Sequence, residues 1–140
     1  MKTLIQNPIS LFWLCMLLHL LADFHFQGIL ASMKQKNWWP KAMKSLPWKT
    51  RCKIKQSHLF DYDYVMALLC HALMWSLITL LPLMLAVTPQ QFSILIGANT
   101  VFHAIVDHAK ANKLWINLWV DQLLHVLQIA ATVAVVHYFM

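Results

Sequence analysis

Four long apolar stretches take up most of this chain, and each of them carries ionisable residues well away from its ends. They run from about Ile9 to Met33, Tyr64 to Val87, Phe92 to His108 and Leu114 to Phe139. A hydrocarbon core ~30 Å thick needs ~20 helical residues at ~1.5 Å rise each, and inside it every backbone polar group must find a partner. The pattern predicts an all-α fold: a polytopic membrane protein forming one four-transmembrane-helix bundle over residues 1–140. Composition points the same way. The 140 residues are 60% hydrophobic and only 11% charged, whereas a soluble domain carries about a quarter charged residues. Pro8, Pro89 and the run Lys110 to Lys113 punctuate the stretches, the third of which has room to extend past Pro89. Pro82 lies inside the second and predicts a kink there.

Charge placement sets the expected orientation. Eight basic residues, Lys34, Lys36, Lys41, Lys44, Lys49, Arg51, Lys53 and Lys55, fall in the connection at about 34–58, and Lys110 and Lys113 fall between the third and fourth stretches. The connection from Thr88 to Gln91 has none, and the amino terminus has Lys2 alone. The positive-inside rule places both basic connections in the cytoplasm and both termini outside, as expected of a multi-pass protein of a bacterial inner membrane. Trp38, Trp39 and Trp48 interleave the first connection, and Pro40 and Pro47 break it into short pieces. Aromatic rings settle at the headgroup level, and clustered cations attract anionic lipid headgroups by ~1 kcal/mol each. The 34–55 segment is therefore expected to bind anionic lipid; no base-reading motif points to nucleic acid, and self-association into a homo-oligomer is left open. The first stretch contains His19, Asp23 and Gln27 and is followed by no A-x-A site, which disfavours a cleaved signal peptide. Cys15, Cys52 and Cys70 are far apart, so neither a disulfide framework nor a cysteine zinc site is expected.

The polar residues inside the stretches are regularly spaced. His19, Asp23 and Gln27 lie four apart on the first, and Asn99, His103 and Asp107 lie four apart on the third. Asp121 and His125 are four apart on the fourth, with Gln128 and Thr132 continuing the stripe, and the second contributes His71. Residues four apart share a helix face. An ionisable residue within a span costs ~2.5–3.5 kcal/mol on an insertion scale, so these residues should converge on the bundle interior. Their distances from the helix ends put all of them in one layer near the cytoplasmic face. His25, His58, His108 and His137 fall off that layer or face.

Imidazole and carboxylate together suit a divalent metal, zinc first, with manganese or iron as alternatives. His19, Asp23, His71, His103, Asp107, Asp121 and His125 are the ligand candidates. They exceed one tetrahedral shell, which leaves room for second-shell carboxylates around one metal or for two metals sharing an Asp. Asp23, Asp107 or Asp121 would serve as a catalytic base, and Gln27, Lys110 and Gln122 would contact substrate or orient ligands. That enzymatic reading is a metal-dependent hydrolase. The alternative is a non-enzymatic transporter subunit or interaction protein whose His/Asp pairs form a hydrogen-bonded core or a proton path. The outer halves of the stretches, including Leu80 to Val87 and Ile129 to Val136, are almost wholly apolar, which counts against a path. Trp13, Met16, Trp75 and Trp119 read as packing or interface residues.

The segments H-L-L-A-D-F-H-F-Q (His19 to Gln27), C-H-A-L (Cys70 to Leu73), F-H-A-I-V-D-H-A-K (Phe102 to Lys110) and V-D-Q-L-L-H (Val120 to His125) form an ordered pattern across all four stretches. The pattern is H-x3-D-F-x2-Q, a lone His, H-x3-D-x2-K and D-Q-x2-H. It resembles the small integral membrane proteins of bacteria and phages grouped as domain-of-unknown-function family three-three-zero-seven. A more distant likeness is to small inner-membrane proteins described as metal-dependent hydrolases. The resemblance implies a helical membrane domain with these His and Asp residues as its site. Trp75 stands where that family often has a second His one turn after the one matched by His71, which removes a ligand from a full two-metal shell. The basic connection also looks longer than the family's.

Overall fold

The computed structural model describes residues 7–57 and 61–139, and no strand occurs among them. Lys2, His58 and the outermost residues of the expected 1–140 domain lie outside the described residues. Helix α1 spans Pro8–Leu20. It starts where the Asn7 side chain accepts from the Ile9 N–H at 2.9 Å, with Pro8 in the first turn, where its missing N–H costs nothing. The chain then widens into a π-helical turn, Leu21–Phe26, and breaks at Gly28, whose φ is +48°. A short α2, Leu30–Met33, follows. The single helix expected over 9–33 is thus three pieces. A predominantly apolar stretch does not report the hydrogen-bond register within it, and glycine is the residue that adopts positive φ without strain.

The basic connection folds as α3 (Trp38–Ala42), a 3-10 turn (Met43–Ser45) and α4 (Trp48–Ser57). Pro47 separates them by holding Leu46 extended, at φ −79° and ψ 152°. Pro40 breaks nothing: it sits in the first turn of α3, where proline is tolerated. Helix α5 (Asp63–Thr79) stops before Pro82, and Leu81–Leu85 continues as a 3-10 turn, so the expected kink is instead a helix end. Helix α6 (Pro89–Ala111) starts ahead of Phe92 because Thr88 and Gln91 form a reciprocal capping box around Pro89. Helix α7 (Leu118–Phe139) starts after Leu114, which has φ +57°; the Asn117 side chain accepts from the Val120 N–H at 3.0 Å and caps the helix.

Helix α5 packs along α6, α1 packs against α5 and α7, and α6 against α7. The polar stripe falls towards the C-terminal ends of α1 and α6, midway along α5 and towards the N-terminal end of α7, and these helices alternate in direction. Both basic connections therefore leave from one end of the bundle. Asn112 ties them together: its Oδ1 accepts from the Lys36 N–H at 2.7 Å, and its Nδ2 donates to the Lys34 carbonyl at 3.0 Å. At the other end Leu11, Cys15, Leu80, Leu83, Ile129 and Val133 form the apolar core.

The surface is inverted relative to a protein bathed in water. The helices turn Leu17, Phe24, Leu69, Leu73, Ile94, Ile105, Leu123 and Leu127 outward. They bury four His, three Asp and Lys34. By length and composition two helices can cross a membrane, Pro8–Phe26 and Leu118–Phe139, rather than the four expected. Helix α5 is apolar but has only 17 residues. Helix α6 has 23 residues but spends several of them on Gln90, Gln91, Asn99, Thr100, His103, Asp107, His108 and Lys110.

Candidate metal centre

Four helices bring the polar stripe to one point. The π-helical turn carries Asp23 inward, α5 supplies His71, α6 supplies His103 and Asp107, and α7 supplies Asp121 and His125. All six are buried, and His71, His103, Asp121 and His125 have no exposed surface. His71 Nε2 lies 3.1 Å from Asp107 Oδ2, 3.2 Å from His103 Nε2 and 3.6 Å from Asp23 Oδ1. His103 Nε2 is 3.6 Å from Asp107 Oδ2. His125 Nε2 is 3.6 Å from Asp121 Oδ1 and 3.9 Å from Asp107 Oδ1. Three Nε2 atoms and three carboxylates thus face a common space.

These spacings are compatible with ligands around a metal. Donors bound to zinc at ~2.0–2.1 Å in a tetrahedron stand ~3.3–3.4 Å apart along its edges. Three groups have donor atoms mutually within 4.8 Å: Asp23, His71 and His103; His103, Asp107 and His125; and Asp23, Asp121 and His125. Neither ring nitrogen of His125 has a hydrogen-bond partner, and Asp121 Oδ1 has none either. A buried polar atom without a partner costs ~1–3 kcal/mol, and a bound cation would satisfy Asp121 Oδ1 and one ring nitrogen of His125 together. Charge points the same way, because among the described residues three buried carboxylates face two ammonium groups. Lys34 Nζ donates to Asp107 Oδ2 at 2.6 Å, and Lys110 Nζ donates to Asp121 Oδ2 at 2.6 Å. Each of these Asp residues directs one oxygen to a lysine and the other towards His125.

His19 stands beside the centre and belongs to none of the three groups. The Trp75 indole N–H donates to its Nδ1 at 2.8 Å, so Nδ1 is the unprotonated nitrogen and Nε2–H donates to Gln122 Oε1 at 3.2 Å. The Gln122 amide then donates to Asp23 Oδ2 at 2.9 Å and to Asp121 Oδ2 at 3.1 Å. Trp75, His19 and Gln122 therefore form a relay that orients two carboxylates. The ring planes are held by stacking: Trp75 on His103, and His103 on His125, each with centroids 4.2 Å apart. One turn further from the centre, Gln128 Nε2 and Thr132 Oγ1 donate to Asn99 Oδ1 at 2.8 and 3.1 Å, making a separate buried polar layer.

A cavity of about 350 Å³ leads to the centre. Asp23, Asp107, Lys34, Lys110, Gln27 and Gln35 supply its polar wall. Gln27 and Lys110 line this cavity, while Gln122 lies outside its lining and orients Asp23 and Asp121. Reading the sequence missed two members. Lys34, taken as one of the lipid-facing cations, is 7% exposed and ion-paired within the site. Trp75, taken as packing, donates to His19 and stacks on His103. Position 75 is one turn from His71 on the same face, and that spacing is the signal that could have found it.

No family model matches this chain, and neither a curated protein nor a solved structure matches it.

Proposed function

We propose that this protein is a four-span membrane protein whose His/Asp centre binds a divalent metal and serves as a metal-dependent hydrolase. The observation that carries the metal is the set of donors from His71, His103, His125, Asp23, Asp107 and Asp121, packed at liganding distances with several buried atoms unpartnered. Zinc is the first candidate, since the donors are imidazole nitrogens and carboxylate oxygens. Such a metal lowers the pKa of a bound water and so supplies a nucleophile near neutral pH. Asp23 and Asp107 reach both the centre and the cavity, which suits a base or a ligand at the substrate side.

The inverted surface supports the membrane reading. Helix α5 with its 3-10 extension covers Asp63–Leu85, and α6 covers Pro89–Ala111, each as long as a span once its polar residues face inward. With the basic connections in the cytoplasm, both termini face outward and the cavity opens near the cytoplasmic headgroups of a bacterial inner membrane. Exposed Trp48 and cations Lys41, Lys44, Lys49 and Lys53 suit contact with anionic headgroups there. We also assign the chain to domain-of-unknown-function family three-three-zero-seven, on the motif order alone.

Metal analysis of the full chain purified in detergent tests the centre. Wild type should hold metal near stoichiometry, and His103→Ala and Asp121→Ala should lose most of it. Metal-free wild type, recovered without chelators, would leave a structural polar core as the reading.

A further inference from the structure

We propose that the cavity beside the centre binds a phosphodiester monoanion, the headgroup phosphate of a membrane lipid, between Lys34 and Lys110. The proposal rests on the metal reading above and names what that site would take. The two lysines enter the cavity from different elements, Lys34 just after α2 and Lys110 near the end of α6. Each uses one N–H on a carboxylate, at 2.6 Å, and an ammonium group has three to give. Lys34 is held in place independently of its side chain, because Asn112 donates to its carbonyl and accepts from the Lys36 N–H.

Charge selects the ligand. Three buried carboxylates, two ammonium groups and one divalent cation with neutral imidazoles leave a single positive charge. A phosphodiester carries a single negative charge, and its two non-ester oxygens can meet one lysine each. Shape selects the source. The cavity, at about 350 Å³, is far larger than a bare phosphate, and its other wall is Phe24, Ala31, Ala111, Leu114 and Leu118. Phe24, Leu114 and Leu118 are 59, 81 and 52% exposed, so this apolar wall runs out onto the lipid-facing surface. Trp115 and Trp119, next in sequence to Leu114 and Leu118, are 75 and 85% exposed, and exposed indole rings favour the headgroup level. A lipid entering sideways would place its phosphate on the lysines and its glycerol and acyl carbons on this wall.

The test uses metal-loaded full chain in detergent, titrated calorimetrically with dihexanoylphosphatidylglycerol, inorganic phosphate and octanoate, with metal content measured on every sample. The lipid should bind at least tenfold tighter than either small anion. Lys34→Gln and Lys110→Gln should each weaken it tenfold or more while metal is retained. If Lys34→Gln does not fold, Lys34→Arg should keep the binding, and Lys110→Gln, whose side chain is part exposed, reads the clamp alone. Inorganic phosphate binding as tightly as the lipid would overturn the lipid source. Octanoate binding as tightly would overturn the phosphate. Unchanged affinity in Lys110→Gln would overturn the clamp. Full metal with no lipid binding sinks this inference alone, whereas wild type without metal sinks the metal reading and this inference with it.

Discussion

Lys34 Nζ sits 2.6 Å from Asp107 Oδ2 with both side chains nearly closed to the exterior, and His71 Nε2 lies 3.1 Å from the same oxygen. Removing one partner of a buried pair strands the other, at a cost of roughly 3–5 kcal/mol. Lys34→Met should therefore destabilise the chelator-treated protein by about that much, read as unfolding in detergent. Added zinc should recover much of the loss, because Asp107 then has a second cation. Lys36→Met, at an exposed position over the Tyr64 ring, should change stability by less than about 0.5 kcal/mol. Equal losses in the two variants would contradict the pairing. The His and Asp members of this site were legible because four-residue spacing reports a helix face directly. Lys34 was not, because a cation at the end of an apolar stretch looks the same whether it turns inward or towards headgroups. His19 shows the converse limit: spacing places it on the right face, but its hydrogen bonds to Trp75 and Gln122 depend on neighbours from other helices.

Helix boundaries were legible where a side chain caps the backbone. Asn7 before Pro8, Thr88 with Gln91 around Pro89, and Asn117 before α7 each satisfy N–H groups that a helix start leaves open. The π-helical turn and the break after it carry no such mark, since no side chain caps the backbone at either start. Those two irregularities matter for the site. The wide turn carries Asp23, and the break at Gly28 redirects the chain so that Lys34 returns to Asp107. The two glycines should respond oppositely to alanine. Gly28 has φ +48° and no close neighbour, its nearest being the Phe26 carbonyl at 4.0 Å, so Gly28→Ala meets only backbone strain, about 1–2 kcal/mol. Gly97 lies within α6 with open space around it, so Gly97→Ala should stabilise by about 0.5–1 kcal/mol. Thermal unfolding of both variants in one detergent checks the signs, and a stabilising Gly28→Ala would show that the break is not required.

At the scale of the whole molecule, the proposed topology rests on the inverted surface and on the gathering of both basic connections at one end, and three native cysteines can test it. Cys15 is buried between helices, and Cys70 lies on the outward face of α5 among Leu69 and Leu73, where lipid would cover its thiol. Cys52 lies on α4 in the basic connection and is only partly covered. A membrane-impermeant maleimide applied to intact cells should therefore label none of the three if that connection is cytoplasmic. After the membrane is opened, Cys52 should react while Cys15 and Cys70 stay protected, and Cys52→Ser should abolish the signal. Labelling of Cys52 in intact cells would reverse the orientation and move the centre to the outer headgroup layer, leaving its chemistry unchanged. Labelling of Cys70 before detergent is added would mean that the outward face of α5 meets water. That result would remove the four-span arrangement, because α5 is the short apolar helix whose place in the bilayer rests on that face being lipid-covered.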